Sequence, residues 1–222
     1  MNKKIYLLPI LLLALVFVSC EETKEVSIYD NWQERNEAFI DSLRNEFMTN
    51  REVSGLDTIH LLSAPDDYIF YKEKTPVKNE PENPDNIYEY IEGYVLEDIQ
   101  PYYTDSVYTY YKGTYIIGTR FDGFTGKNPT VFDSPSRFYV NSVVTGWSEM
   151  LQRMKVGERR EIYIPWKYGY GASGYGSILG YSTLVFDVQL YSIENRSSNA
   201  LSVLDIDCLL YTSPSPRDRQ KS

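Results

Sequence analysis

The sequence predicts an α+β fold in which several antiparallel strands wrap around one short helix. Residues 107–114 and 184–193 alternate apolar and polar side chains in the manner of half-buried strands, and residues 161–165 do so over a shorter stretch. Between the strands predicted at 107–114 and 161–165, residues 146–154 place apolar side chains at helical spacing. Gly157 follows at the position where such a helix would end. We therefore expect one helix packed against one sheet.

The chain begins with the pattern of a secretory signal peptide. Two lysines precede an apolar run over residues 5–18, which is shorter than the roughly 20 apolar residues of a membrane-spanning helix. Residues 17–20, Phe-Val-Ser-Cys, resemble a bacterial lipobox, although Phe17 departs from the usual leucine. We expect a signal peptide over residues 1–19 and a lipid anchor on Cys20; the alternative is an ordinary signal peptide beside an incidental cysteine.

Residues 20–26 are predicted to be a polar, lipidated tether. Acidic residues directly after a lipidated cysteine, here Glu21 and Glu22, resemble the surface-export signal of lipoproteins in Bacteroidetes. A plain solvated tether is the alternative. Either way, the anchor is expected to hold the protein at the cell envelope, with the outer membrane, on its periplasmic or surface face, as the favoured location.

An amphipathic helix is predicted within residues 27–49, because apolar side chains recur there at helical spacing. They are Trp32, Phe39, Ile40, Leu43 and Phe47. A helix with such a stripe must bury it, either by docking on the following domain or by pairing with a second subunit. Docking is the favoured alternative.

Residues 50–86 are expected to form mostly a linker, since they contain four prolines and a charged stretch over 72–85. A short strand over residues 68–71 is the exception. His60 is the sole histidine of the chain and is expected at the surface or its boundary.

The last part of the chain is set aside from fold reasoning. Residues 195–207 are expected to be a tail, and residues 208–222 resemble one reading frame of a transposase sequencing adapter. The alternative for 208–222 is a genuine disordered tail rich in serine and proline. A fold domain is thus expected over residues 87–194.

Composition excludes several function classes. The net charge is −9, and it becomes more negative without the two basic ends, so binding to a nucleic-acid backbone is not expected. Residues 87–194 contain neither cysteine nor histidine. The domain therefore offers no strong nucleophile and no usual transition-metal ligand set, and we expect neither a metal nor a cofactor.

Five aromatic motifs follow one another in this domain, separated by turn-rich connectors. They are Tyr-Tyr-Lys-Gly at 110–113, Phe-Asp at 121–122, Val-Val-Thr-Gly-Trp at 143–147, Tyr-Gly-Tyr-Gly at 168–171 and Thr-Leu-Val-Phe-Asp at 183–187. Their order and spacing resemble those of FKBP-type peptidyl-prolyl cis-trans isomerases over residues 87–194. The resemblance implies a twisted antiparallel half-barrel around a central helix.

The resemblance also implies which residues form the site. Trp147 corresponds to the floor under the prolyl ring, the Val144 backbone N–H to a donor for a substrate carbonyl, and Asp122 with Tyr170 to a polar pair at the rim. Ile178 corresponds to the apolar residue of a flap loop. The complete implied set is Tyr111, Phe121, Asp122, Val143, Val144, Trp147, Tyr170, Ile178 and Phe186.

Such a site suits a reaction without covalent chemistry. Rotation about an X–Pro bond faces a barrier of about 18–20 kcal/mol, which comes from amide resonance. A dry cavity favours the twisted, less polar amide over the planar one, because water stabilises the planar form better. Aromatic walls and a few hydrogen-bond donors are therefore sufficient.

Several positions depart from the family's pattern. Ser136 replaces a usually aromatic wall residue, Ser142 replaces a rim acid, and Leu179-Gly180 replaces the usual proline pair of the flap. The loop over residues 123–134 is extended and carries a second Phe-Asp pair at 132–133. These changes bear on catalytic efficiency and on affinity for a macrolide.

Two functions from different classes remain at this point. The first is a prolyl isomerase that assists the folding of exported proteins at the cell envelope, with proline-containing polypeptides as clients and a tacrolimus-like macrolide as a ligand. The second is a non-catalytic FKBP-like chaperone or docking module on a lipid anchor.

Overall fold

A computed structural model describes residues 27–196 of the protein. The expectations for the signal peptide, Cys20 and residues 197–222 lie outside the described residues. The chain divides into two units, residues 1–31 and residues 32–222. In the first, residues 27–31 contain a turn in which the Ser27 backbone N–H donates to Asp30. The second contains the helices and strands.

The described elements follow in the order helix, five strands, helix, two strands. They are α1 (Trp32–Ser54), β1 (Leu56–His60), β2 (Tyr68–Lys74), β3 (Ser106–Tyr115), β4 (Arg120–Gly123), β5 (Ser136–Tyr139), α2 (Thr145–Leu151), β6 (Arg159–Ile164) and β7 (Leu184–Ile193). Single 3₁₀ turns lie at Val140–Ser142 and Trp166–Tyr168.

The strands form one antiparallel sheet in the order β1-β2-β6-β7-β3-β4. β5 pairs with the start of β3, and β4 with its later part, so that both lie on the edge of β3 opposite β7. An α+β fold with an antiparallel sheet is therefore confirmed. The three strands predicted from alternation correspond to β3, β6 and β7.

One face of the sheet packs on α2. The seven-residue helix buries Trp147, Met150 and Leu151 against apolar side chains of β2, β6 and β7. Burial is nearly complete, since Met150 and Leu151 are both 0% exposed. α2 is shorter than the predicted helix, because the backbone N–H groups of Arg153 and Met154 donate to the carbonyls three residues earlier, as in a turn, and not to those four residues earlier.

The other face of the sheet is covered by α1. Leu43 forms a buried cluster with Leu56, Phe70 and Tyr163, and Phe39, Ile40 and Phe47 of the predicted stripe pack around it. Of the two alternatives for this helix, the structure shows docking on the domain. The regular helix starts at Trp32, and non-helical backbone at Asn50 interrupts it close to the predicted end.

The region expected to be a linker differs most from expectation. Residues 56–60 and 68–74 form β1 and β2, which extend the sheet beyond β6. The reason is that α1 and α2 cover opposite faces of β2. Ile69 and Phe70, which are adjacent in this strand and point to opposite faces, are therefore both 0% exposed. Conversely, residues 87–105, the first part of the domain expected over residues 87–194, contain no strand of the sheet.

Two smaller observations concern the surface. His60 is exposed, as expected, and its Nδ1 lies 3.1 Å from the Pro65 carbonyl oxygen. Between residues 27 and 196, neither helix is long and apolar enough to cross a membrane.

Candidate active site

A cavity of about 230 Å³ opens where α2 faces β3, β4 and β7. All nine residues that the resemblance implies lie in its lining. They are Tyr111, Phe121, Asp122, Val143, Val144, Trp147, Tyr170, Ile178 and Phe186. Two further residues, Phe138 and Ser142, complete the lining.

The alternation of side chains along the strands and the position of the first turn of α2 direct these side chains into the same cavity. Tyr111 on β3 and Phe186 on β7 lie on the strand face that packs on α2. Phe121 comes from β4, and Trp147 comes from the first turn of α2. The loop between β6 and β7 supplies Tyr170 and Ile178. Segments far apart in sequence therefore build one set of walls.

The cavity floor is a packed group of rings around Trp147. Its indole stacks on Phe186 with ring centroids 5.3 Å apart and planes 28° apart. Phe138 and Tyr111 contact the same indole edge-to-face at 4.7 Å and 5.5 Å. Such offset and edge contacts each add about 0.5–1.5 kcal/mol beyond burial, so the floor is held rigidly.

A side wall depends on the absence of a side chain at Gly113. A Cβ atom at this position would lie 2.4 Å from a ring carbon of Phe121 and 2.9 Å from one of Phe186. The two rings therefore meet over the β3 backbone, edge-to-face with centroids 5.6 Å apart. Glycine in the motif at 110–113 is required by this approach.

Two hydrogen-bond donors at the start of α2 belong to residues that line the cavity. Within the described residues, the backbone N–H of Val144, directly before α2, has no protein acceptor, although its carbonyl accepts from Trp147 and Ser148. The Trp147 Nε1–H is buried and also has no acceptor within residues 27–196. An unmet buried donor costs about 1–3 kcal/mol, which makes this floor unusual.

The rim is polar and keeps its hydroxyls protonated. Burial, together with the neighbouring Asp122 carboxylate, raises the pKa of Tyr111 well above its ordinary value. Burial and Asp122 also raise the pKa of Tyr170. Asp122 itself accepts a hydrogen bond from the Gly123 backbone N–H at 2.8 Å. At neutral pH both tyrosines are therefore donors beside a carboxylate.

The flap loop, residues 170–181, is tied down by its own backbone. Tyr175 and Ile178 exchange two backbone hydrogen bonds of 3.0 Å and 2.9 Å. A Cβ atom at Gly180 would lie 1.9 Å from the Ala172 carbonyl oxygen, so only glycine allows the loop to fold back here. Ile178 is thereby held over the cavity. The departure from the family's proline pair is accommodated by this close backbone contact.

The structure distinguishes the two Phe-Asp pairs. Phe121 and Asp122 line the cavity, whereas Phe132 is 77% exposed and packs beside Tyr88. Asp133 accepts hydrogen bonds from Thr130 and caps the extended loop. Ser136 lines an adjoining cavity that meets the first at Tyr111 and Asp122.

Sequence reasoning did not include Phe138 in the site, and it named Ser142 only as the replacement of a rim acid. β5 is only four residues long, and its pairing with β3 decides that Phe138 faces Trp147. The available signal was the polar-apolar alternation of Arg137 and Phe138 directly after Ser136, the position already compared with a wall residue of the family.

The lining limits what chemistry is possible. It contains no cysteine, histidine or lysine, and no group of three acidic, cysteine or histidine side chains in residues 27–196 is placed to hold a metal ion. What the site offers is an apolar floor, a free backbone donor and a polar rim. It is suited to binding a peptide, excluding water and changing its conformation.

Comparisons with known proteins agree with this geometry. The family model for "FKBP-type peptidyl-prolyl cis-trans isomerase" matches residues 97–191. FK506-binding protein 2 of Aspergillus fumigatus is 39% identical over 100 residues, which are 44% of this chain and 71% of the relative. FKBP-type peptidyl-prolyl cis-trans isomerase FkpA of Aeromonas hydrophila is 38% identical over 100 residues, covering 45% of this chain.

The match with the longer relatives is partial. The aligned segment spans 35% of the length of the Aeromonas hydrophila protein. Among solved structures, FkpA from Escherichia coli superposes with a TM-score of 0.50 at 27% identity, covering 74% of this chain and 62% of that one.

Proposed function

This chain belongs to the family of FKBP-type peptidyl-prolyl cis-trans isomerases, and we propose that it catalyses the cis-trans isomerisation of X–Pro bonds in polypeptides. The observation that carries the proposal is the convergence of all nine implied site residues on one cavity whose floor is the Trp147 indole. The family membership follows from the matched residues 97–191 and from the relative of which 71% is covered.

The proposed mechanism is selective binding of the twisted amide. The prolyl ring lies on Trp147 between Phe186 and Tyr111, where burial excludes the water that stabilises the planar amide. The Val144 N–H donates to a substrate carbonyl and thereby fixes the peptide while the bond rotates. Each 1.36 kcal/mol of preference for the twisted form gives about a tenfold rate increase.

The rim supplies orientation, and no proton needs to move. The Tyr170 hydroxyl, kept protonated by burial and by Asp122, donates to the bound peptide. Asp122 places its negative charge beside both tyrosines and accepts from the Gly123 backbone N–H of its own loop. General acid–base catalysis is not required, since no bond to hydrogen breaks in the reaction.

The direct test is a chymotrypsin-coupled isomerisation assay with a proline-containing peptide and residues 21–222, which retain every described residue. We expect catalysis that is proportional to enzyme concentration and reduced by Phe186→Leu. A rate equal to the uncatalysed one, with folded protein, would reject the isomerase. It would favour the alternative, a non-catalytic chaperone or docking module.

We also propose a place of action and a client class. The support is the pattern of residues 3–20, a basic start, an apolar run and Ser-Cys, which fits a lipoprotein anchored at the cell envelope, on the periplasmic or surface face of the outer membrane. Exported, proline-containing polypeptides are then the clients. Radiolabelled palmitate should enter the wild-type protein and not Cys20→Ala; equal labelling would reject the anchor.

A tacrolimus-like macrolide is proposed as a ligand of the same cavity. The support is its apolar lining and the relative that is named FK506-binding protein 2. The flap with Leu179 and Gly180, in place of a proline pair, is expected to weaken the contact. Calorimetric titration with tacrolimus measures the affinity, and inhibition of the peptide assay tests whether the macrolide occupies this cavity. Binding heat without inhibition would show that the macrolide binds elsewhere.

A further inference from the structure

The first turn of α1 contacts the segment that leads from the flap loop into β7. The Trp32 indole Nε1–H donates to the Ser182 hydroxyl at 3.0 Å. The Ser182 hydroxyl in turn donates to the Leu179 carbonyl at 2.7 Å. Because one hydroxyl carries one proton, the donation by Trp32 leaves it directed at Leu179. Trp32 of α1 thus orients the hydrogen bond between Ser182 and Leu179, which joins the flap loop to the residue that follows it.

Asn36, one helical turn later, makes a second contact with the same segment. Its side-chain oxygen accepts from the Thr183 backbone N–H at 2.7 Å, and its amide group donates to the Trp32 carbonyl at 2.7 Å. The Thr183 hydroxyl donates to the Asn36 carbonyl at 3.4 Å. Asn36 and Thr183 are both 0% exposed. The Thr183 backbone N–H, just before β7 begins, is therefore bound by a side chain of α1.

Aromatic contacts connect the same helix turn to the opposite wall. The Trp32 indole packs edge-to-face on Tyr115 with centroids 5.5 Å apart, and Tyr115 packs on Phe121 at 5.3 Å. The Tyr115 hydroxyl donates to the Ser177 carbonyl at 3.0 Å, next to Ile178. Two walls of the cavity, Phe121 and Ile178, therefore depend on groups that Trp32 contacts.

We propose that Trp32 and Asn36 are positioning residues for the isomerase site: they hold residues 177–183 so that Ile178 and Phe186 keep the shape of the cavity. The inference rests on the proposed function. Neither residue lines the cavity: Trp32 acts through Ser182 and Tyr115, and Asn36 acts through Thr183.

The remainder of α1 offers a matched control. Leu43 lies in the separate cluster with Leu56, Phe70 and Tyr163 on the opposite face of the sheet. Leu43→Ala should destabilise the fold without touching residues 177–183. Trp32→Phe keeps an aromatic ring available to pack on Tyr115 and removes the Nε1–H donor together with one ring of the indole.

Amide hydrogen exchange tests the positioning without relying on isomerase activity. In Trp32→Phe, exchange of residues 177–184 should accelerate about tenfold, while residues 68–74 of β2 stay as protected as in the wild type. Leu43→Ala should show no such selectivity. Unchanged exchange at 177–184, or equal acceleration in both segments, would overturn the proposal.

The activity assay supplies the second readout. At a temperature where all variants are folded, Trp32→Phe should lower kcat/KM about three- to tenfold, mainly through a higher KM, since the displaced flap weakens peptide binding. Leu43→Ala should retain the wild-type value. Equal losses in both variants would overturn the positioning role. If the wild type has no activity, the proposed function fails, and hydrogen exchange alone decides this inference.

Discussion

Trp147 and Phe186 stack with their ring centroids 5.3 Å apart, although one residue lies in the first turn of a helix and the other in the last strand. The stack joins the floor of the cavity to its wall. Trp147 is 4% and Phe186 5% exposed, so their packing is part of both the core and the site.

The first prediction separates the two roles of this stack. Phe186→Leu should lower kcat/KM several-fold while the domain stays folded, because an aromatic wall is replaced by a smaller aliphatic one. Phe70→Leu, at a fully buried position on the other face of the sheet, is the matched control. It should lower the melting temperature and leave kcat/KM unchanged. Equal effects on activity would contradict a wall role for Phe186.

The second prediction concerns Gly113. Gly113→Ala should displace Phe121 or Phe186, because its methyl group would lie 2.4 Å and 2.9 Å from their rings. We expect a loss of about 1–3 kcal/mol in the free energy of unfolding, as for overpacking, and reduced kcat/KM. Gly126→Ala in the adjacent loop is the milder comparison, since its Cβ would lie 3.1 Å from the Asn128 carbonyl oxygen and would meet neither ring. Urea unfolding and the peptide assay measure both effects; a neutral Gly113→Ala would show that the rings move freely.

The third prediction concerns the pH dependence of the rate. The pKa values of Tyr111 and Tyr170 are raised from 10, so both hydroxyls stay protonated from about pH 6 to 8. The profile of kcat/KM should therefore be nearly flat in this range. Asp122→Asn should reduce activity less than the loss of a general acid would, since it removes an acceptor and no proton donor. A steep, bell-shaped profile with folded protein would contradict catalysis by the cavity alone.

The fourth prediction concerns the buried ion pair between Arg159 and Asp187, the residue that follows Phe186 on β7. Asp187 accepts two hydrogen bonds of 2.8 Å from Arg159 and one of 2.6 Å from Lys74. Burial disfavours the charged carboxylate, but these cations outweigh it and hold the pKa of Asp187 below its ordinary value. Asp187→Asn should lower the free energy of unfolding by about 3–5 kcal/mol, because Arg159 is left buried and unpaired.

The sign of the pH effect follows from the lowered pKa of Asp187. Its stabilising contribution is fully present above the unfolded value of about 3.9 and is lost as pH falls through the lower folded pKa. Urea unfolding from pH 7 to pH 3 should show a steeper acid loss in the wild type than in Asp187→Asn. Parallel curves would show that this carboxylate does not contribute to acid sensitivity.

Sequence alone determined the sheet's central strands and the membership of the site. β3, β6 and β7 alternate apolar and polar residues, and a local period is independent of the partners that each strand finds. Eight of the eleven cavity residues lie in the five motifs, and the family resemblance that rests on the order and spacing of these motifs added Ile178.

Tertiary structure alone decided which elements join the domain and how the cavity is held. β2 shows no alternation at Ile69-Phe70-Tyr71, because both of its faces are buried; the sequence predicted a short strand over residues 68–71, but neither its pairing with β6 nor β1 beside it. Likewise, no local pattern reports that Trp32 reaches Ser182 or that Asp187 meets Arg159. These contacts join distant parts of the chain, and they form only where the packing of α1 and the strand order bring them together.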